Sequence, residues 1–205
     1  MMSCAALVLA AGASTRWGKP KQLLSLRGQT LIDRSVQTAL EAGCSPVVRV
    51  LGAHSEAIHQ RPCPHGALTV INPAWNEGMG GSLAFGVRSV LAAAPQTEAV
   101  VVLLCDQPLV TPRIITTLLA AGRTRGKGIV LCDPGEGRPV GPPAVFGRAY
   151  FEALQSLSGD VGARVVARRN LEDVATVHFG PARWDLDSPE DCELFLNQHP
   201  EWRQT

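Results

Sequence analysis

Near-continuous runs of small and branched apolar residues do most to limit what this chain can become: Ala5 to Ala10, Val47 to Leu51, Leu68 to Ile71, Ala99 to Leu104 and Ile129 to Cys132. Apolar residues that do not alternate with polar ones are the pattern of strands covered on both faces. Between these runs lie stretches of helical period. Leu31, Ile32, Val36, Ala39 and Leu40 follow Thr30 and Asp33, which have capping-box spacing, and Gly43 marks the stop. Leu83, Val87, Val90 and Leu91 repeat the period, as do Ile114, Ile115, Leu118 and Leu119 behind Thr111 and Pro112. Ser188-Pro189-Glu190-Asp191 predicts the start of a last helix. Strands alternating with helices predict an α/β fold, a mostly parallel twisted sheet with helices on both faces. Ligands of such sheets bind beyond the carboxyl ends of the strands. The turns AAGASTRWGKPK, NPAWNEGMGGS and CDQP are therefore where chemistry is to be sought.

Composition removes several classes of function. With 19 Lys+Arg against 18 Asp+Glu the chain has no field that would attach it to nucleic acid or to an acidic membrane. No run approaches the roughly 20 apolar residues that span a bilayer. The apolar run from Ala5 to Ala13 has no basic region before it, unlike a secretory signal. Six cysteines occur without a CxxC pair, several inside apolar runs, which points to free thiols in a reducing cytoplasm. At 205 residues, with no internal repeat or long linker, one domain over 1–205 is expected.

The first turn has the residues of a phosphate site but not a familiar fingerprint. A P-loop has four residues between its glycines and Ser or Thr after the lysine. Here five residues separate Gly12 from Gly18, and Pro20 follows Lys19 and bars a helix at that point. The glycine spacing of a Rossmann dinucleotide turn is absent too. What remains is a strand, a close-approach Ala-Ala-Gly, and the cations Arg16, Lys19 and Lys21, a combination suited to a triphosphate. Asp106 follows the strand Ala99 to Leu104 closely, and its carboxylate either caps the turn into Pro108 or serves as a hard oxygen ligand suited to Mg2+ carried in on phosphates. Asp185 and Asp187, in WDLDSPED, have the spacing that puts both side chains on one face of an extended segment with Leu186 on the other. Ser188 already fills the capping role there.

These segments, LAAGASTRWGKPKQLL, NPAWNEGMGGSL, LCDQP and WDLDSPED in this order, resemble the molybdenum-cofactor nucleotidyltransferases, most closely their cytidylyltransferase branch. The resemblance spans nearly the whole chain. It implies a Rossmann-like nucleotidyltransferase fold, and transfer of CMP from CTP to the phosphate of molybdopterin with release of pyrophosphate. It gives Leu9, Ala10, Ala11 and Gly12 contact with the nucleotide, and places Asn72, Gly80 and Ser82 near base and ribose. Arg16 and Lys21 match the triphosphate-binding cations, and Asp106 the metal-binding aspartate, with the second Mg2+ ligand at Asp185 or Asp187. The implied partners are CTP or another nucleoside triphosphate, molybdopterin, and a molybdenum hydroxylase apo-enzyme as recipient.

Leu9-Ala10-Ala11-Gly12 and CDQP favour CTP, since guanylyl-transferring relatives carry Leu-Ala-Gly-Gly and tend to have CDMP. A guanylyltransferase, a transferase for another phosphate acceptor, and a carrier that delivers cofactor without catalysis are the alternatives. On the acceptor side the resemblance points to Gly141-Pro142-Pro143 and to Ser158 through Arg164, where Pro142 and Val161 replace the usual polar residues. Arg164, Arg168 and Arg169 are either phosphate contacts or a solvated face. His54, His59, Cys63 and His65 lie close enough in sequence for a zinc site, but their spacing matches no common finger.

Overall fold

The computed structural model describes residues 3–64 and 66–203. Its strands are β1 (Cys4–Ala10), β2 (Ser25–Leu26), β3 (Gln29–Thr30), β4 (Val47–Leu51), β5 (Ala67–Ile71), β6 (Ala99–Leu104), β7 (Ile129–Asp133), β8 (Gly141–Gly147) and β9 (Val174–His178). The helices are α1 (Leu31–Glu41), α2 (Ser55–His59), α3 (Met79–Ala93), α4 (Pro112–Arg125), α5 (Phe151–Gln155), α6 (Arg164–Arg168) and α7 (Pro189–Gln198). Seven strands form one sheet in the order β5-β4-β1-β6-β8-β7-β9, and β2 and β3 make a small hairpin apart from it. All pairings in the large sheet are parallel except those of β8, which runs antiparallel to both β6 and β7.

β1 shows why its run is unbroken. Ala6, Val8 and Ala10 pack on one face with Ile32 and Val36 of α1 and Ile115 and Leu118 of α4. Ala5, Leu7 and Leu9 pack on the other with Leu83 and Val87 of α3 and with Phe151 and Leu154 of α5. Alternate side chains of one strand thus meet different helical layers, and both sets must be apolar. Arg49 of β4 is the exception, 1% exposed inside an apolar run. Its Nε donates to Thr69 Oγ1 at 2.7 Å, and Asp33 lies 3.9 Å from its Nη1.

The helix starts follow the sequence signals. Thr30 Oγ1 accepts the Asp33 amide and donates to the Asp33 carboxylate, and Ser188 Oγ serves Asp191 in the same way at α7. Thr111 is the N-cap of α4 without a side-chain cap bond. α7 packs through Phe195 on Trp184, Leu186 and Trp202, with the Trp184 and Phe195 ring centroids 5.5 Å apart and edge to face. That cluster fixes WDLDSPED against the carboxyl end of β6, where the Leu186 amide bonds Asp106 O at 3.0 Å.

Candidate active site

The segments after β1, β5 and β6 and the Asp185–Asp187 strip converge on a cleft of about 470 Å³ at the carboxyl ends of the strands. Leu9, Ala10, Ala11 and Gly12 line one wall, Gly78, Met79 and Ser82 another, and Lys21, Asp106, Asp185 and Asp187 the floor. α3 begins at this wall. Its N-cap Gly78, at φ 114°, has no side chain to cap the first turn, and of the first amides that of Gly80 is taken by Gly159 O.

The loop after β1 is shaped by a residue that the sequence pattern does not single out. Gln22 is 1% exposed, and its Nε2 donates to Ala10 O at 3.0 Å and to Gly12 O at 2.8 Å. Ser14 Oγ donates to Gln22 Oε1 and accepts the Lys21 amide, which closes the loop upon itself. Trp17 Nε1 bonds Leu186 O at 3.1 Å and ties the loop to the acidic strip. The segment thus becomes two short 3-10 turns, Thr15–Trp17 and Lys21–Leu23, on either side of Pro20.

On the floor, Lys21 Nζ lies 2.5 Å from Asp106 Oδ2 and 2.7 Å from Asp187 Oδ1. Burial by itself would lower the pKa of the ammonium, but the Asp106 charge and the hydrogen bonds to both carboxylates outweigh it and hold the group above the usual lysine value. Asp187 is also disfavoured by burial, yet Lys21 and then Arg16 bring it below the usual carboxylate range. Arg16 Nη2 reaches Asp187 Oδ2 at 3.3 Å from an exposed position outside the main cleft. Asp185 borders the open cleft as an exposed residue, but local burial of its carboxyl, reinforced by the Asp106 charge, pushes its pKa up to about 6. Asp106 Oδ1 is buried without a hydrogen-bond partner. A hard divalent cation is the natural partner for such an oxygen, and Asp106 with Asp187 or Asp185 supplies the carboxylates.

The remaining expected residues are placed as follows. Asn72 is buried behind the cleft, where its Nδ2 donates to Ser82 Oγ at 3.1 Å and its Oδ1 accepts the Ala74 amide. Gly80 faces the segment after α5 instead of the cleft. Its amide bonds Gly159 O at 2.8 Å, and a Cβ there would stand 2.7 Å from Ser158 O. Lys19 is exposed and does not line the cleft. Of the zinc candidates, His65 lies outside the described residues. His54 Nε2 lies 2.8 Å from Ala13 O, and no group of three or more His, Cys, Asp or Glu side chains that could hold a metal ion occurs among the described residues.

Residues 6–174 match the family described as the MobA-like NTP transferase domain. A "Nicotine blue oxidoreductase" of Paenarthrobacter nicotinovorans is 36% identical over 93% of this chain and 95% of its own. A "Probable molybdenum cofactor guanylyltransferase" of Opitutus terrae is 34% identical over 95% and 96%. The "Molybdenum cofactor cytidylyltransferase" of Escherichia coli is 32% identical over 73% of each chain. Among solved structures, Rv0371c of Mycobacterium tuberculosis superposes with a TM-score of 0.82 at 28% identity, over 96% of this chain and 98% of that one. The same protein has also been solved in complex with manganese, with a TM-score of 0.75 at 27% identity over the same shares. No helix among the described residues is long and apolar enough to cross a membrane.

Proposed function

The chain belongs to the MobA-like NTP transferase family and is a nucleotidyltransferase, and from that premise we propose that it transfers CMP from CTP to the phosphate of molybdopterin and releases pyrophosphate. The observation that carries this reading is the floor of the cleft, where Lys21, Asp106 and Asp187 converge beside the partnerless Asp106 Oδ1. Residues 1–205 act in it as a single catalytic domain.

The attacking phosphate oxygen is already anionic at neutral pH, so no strong general base is required, and catalysis becomes positioning and charge neutralisation. Leu9 through Gly12 and the first turn of α3 hold base, ribose and α-phosphate, with Asn72 fixing Ser82 behind them. Lys21 and Arg16 stabilise the charge that develops on the departing pyrophosphate. Asp106, with Asp187 or Asp185, holds Mg2+. A divalent cation bound there would supply charge neutralisation and polarisation of the phosphates. The product passes to a molybdenum hydroxylase apo-enzyme.

CTP is favoured by Ala11, whose methyl narrows the cleft wall beside the base. A size effect of this kind is worth about 1–3 kcal/mol of discrimination. The test is to incubate the protein with Mg2+ and each of the four nucleoside triphosphates, with and without molybdopterin, and to follow pyrophosphate. Acceptor-dependent release, fastest with CTP, supports the reading; none with any triphosphate sinks it.

One relative's name supports a second reading, an oxidoreductase that uses the same cleft. Converging carboxylates and two cations match the charges of a metal-bound triphosphate, which is why transfer is preferred. Oxidation or reduction of nicotine blue by this protein, without pyrophosphate release in the first assay, would reverse that preference.

A further inference from the structure

The strip Ala10 to Ala13 leaves β1 and runs along the nucleotide cleft before the chain turns at Ser14, whose φ of 52° is left-handed. Each of its four carbonyls is held by a group from another part of the chain. Gln22 Nε2 donates to Ala10 O and Gly12 O, while the Ala53 amide bonds Ala11 O at 3.1 Å and His54 Nε2 lies 2.8 Å from Ala13 O. Alternate carbonyls with different holders belong to extended backbone, so the strip is a rail braced from two sides. His54 holds its last rung.

His54 reaches Ala13 because β4 ends close by. Gly52 permits that approach: a Cβ there would stand 2.6 Å from Ala11 O and 2.5 Å from Trp75 Cβ, so a residue without a side chain lets the end of β4 lie against the rail. His54 is the N-cap of α2, but its side chain makes no capping bond there and its ring meets the rail instead. It does not border the cleft, so it acts on a ligand there through Ala13. A carbonyl only accepts, so Nε2 must carry a proton, as it does in the charged ring and in one of the two neutral tautomers. Beyond Ala13 the rail gives way to the Thr15–Trp17 turn and its Arg16. The His54 bond therefore fixes both the end of the rail and the departure of the turn that carries the cations.

We propose that His54 is a positioning residue for the nucleotide: by holding the Ala13 carbonyl it keeps the rail extended and sets where the turn bearing Arg16 and Lys21 leaves it, so that a nucleoside triphosphate meets a wall already formed. This rests on the transferase reading above and adds to it a residue outside the cleft. A wall formed before the ligand arrives lowers the ordering cost of binding. Loss of the brace removes binding that is equal in the ground and transition states, which raises KM and leaves kcat.

The test pairs His54→Leu, which keeps bulk but donates nothing, with His54→Gln, whose amide restores a donor. Calorimetric titration of the whole protein with CTP and Mg2+, without acceptor, reads binding in the absence of turnover. His54→Leu is expected to bind about five- to tenfold more weakly, the scale of one lost hydrogen bond, and His54→Gln to recover most of that. In steady-state kinetics His54→Leu should raise the KM for CTP by the same factor, with kcat changed less than about twofold. Nitrogen-15 NMR of histidine-labelled wild type, the His54 signal identified by its loss in His54→Gln, should show Nε2 protonated, and it reads the bond even where His54→Leu folds poorly. Equal affinities of wild type and His54→Leu, a loss in His54→Gln as large as in His54→Leu, or a His54 ring protonated at Nδ1 alone would overturn the proposal. Absence of acceptor-dependent pyrophosphate release counts against the transferase reading, whereas triphosphate affinity that is independent of the His54 donor counts against this one.

Discussion

Lys21 Nζ stands 2.5 Å from Asp106 Oδ2, and the same ammonium reaches Asp187 Oδ1 at 2.7 Å. The lysine and a divalent cation bound by both carboxylates would draw on the same negative charge, so each opposes the other. Lys21→Met should therefore raise the affinity of nucleotide-free protein for Mn2+ by roughly tenfold, the scale on which one neighbouring charge acts on a carboxylate. Nucleotidyl transfer by the same variant should fall by about 10²–10³-fold, as when a donor to developing charge is removed. Mn2+ titration followed by electron paramagnetic resonance reads the first effect, and an unchanged affinity would count against that opposition.

Adjacent glycines at the start of α3 should respond in opposite ways. A Cβ at Gly80 would lie 2.7 Å from both Ser158 O and Val161 O, whereas one at Gly81 meets nothing within 4 Å. Gly80→Ala is expected to cost about 1–3 kcal/mol through overpacking against backbone. Gly81→Ala should be neutral or stabilising by up to about 1 kcal/mol, from helix propensity. Urea unfolding of the two variants checks the contrast, and equal stabilities would show that the segment from Ser158 to Val161 is not held by this contact.

Gln22 holds the carbonyls of Ala10 and Gly12 from behind the nucleotide wall. Gln22→Leu leaves both without that donor and should cost about 1–3 kcal/mol of stability. The KM for the triphosphate should also rise several-fold, in steady-state kinetics at fixed acceptor, with a smaller change in kcat. A variant with wild-type KM would show that the loop keeps its shape without Gln22.

Away from the cleft, Tyr150 OH donates to Asp173 Oδ2 and the Gly128 amide to Asp173 Oδ1. The Tyr150 bond first, and then that of Gly128, keeps the Asp173 carboxyl below its usual value of 3.8. The same Tyr150–Asp173 bond, reinforced by burial, pushes the phenol from 10 up to about 12. A depressed carboxyl contributes stability that is present above its unfolded pKa and is lost as pH falls through the folded one. A raised phenol contributes below its unfolded pKa and loses that contribution as pH rises through about 12. Tyr150→Phe should thus be less stable than wild type at neutral pH, with the gap closing in strong acid. Urea unfolding near pH 7 and near pH 2.5 measures it, and a gap that widens in acid would contradict the assignment.

The sequence revealed the parallel half of the sheet because β1, β4 and β6 are buried on both faces, which leaves unbroken apolar runs to read. β8 was hidden by its opening Gly-Pro-Pro, which reads as a loop although the strand runs between β6 and β7. β9 was hidden because it is a partly exposed edge strand. At the candidate site, the residues alone offered Arg16, Lys19 and Lys21 from one turn and Asp185 with Asp187 from one strip, the resemblance picked out Arg16, Lys21 and Asp106, and only the fold brings Lys21, Asp106 and Asp187 within hydrogen-bonding distance. Gln22 and the Gly80 contact were not, since one backs a loop and the other meets a segment remote in sequence, and neither leaves a periodic trace.

Mass spectrometry of the acceptor tests the central claim most directly. With Mg2+, CTP and molybdopterin, the acceptor is expected to gain one cytidylyl unit for each pyrophosphate released, and Asp106→Ala should lower the yield by on the order of a hundredfold or more. An acceptor of unchanged mass with all four triphosphates, or full yield from Asp106→Ala, would contradict it.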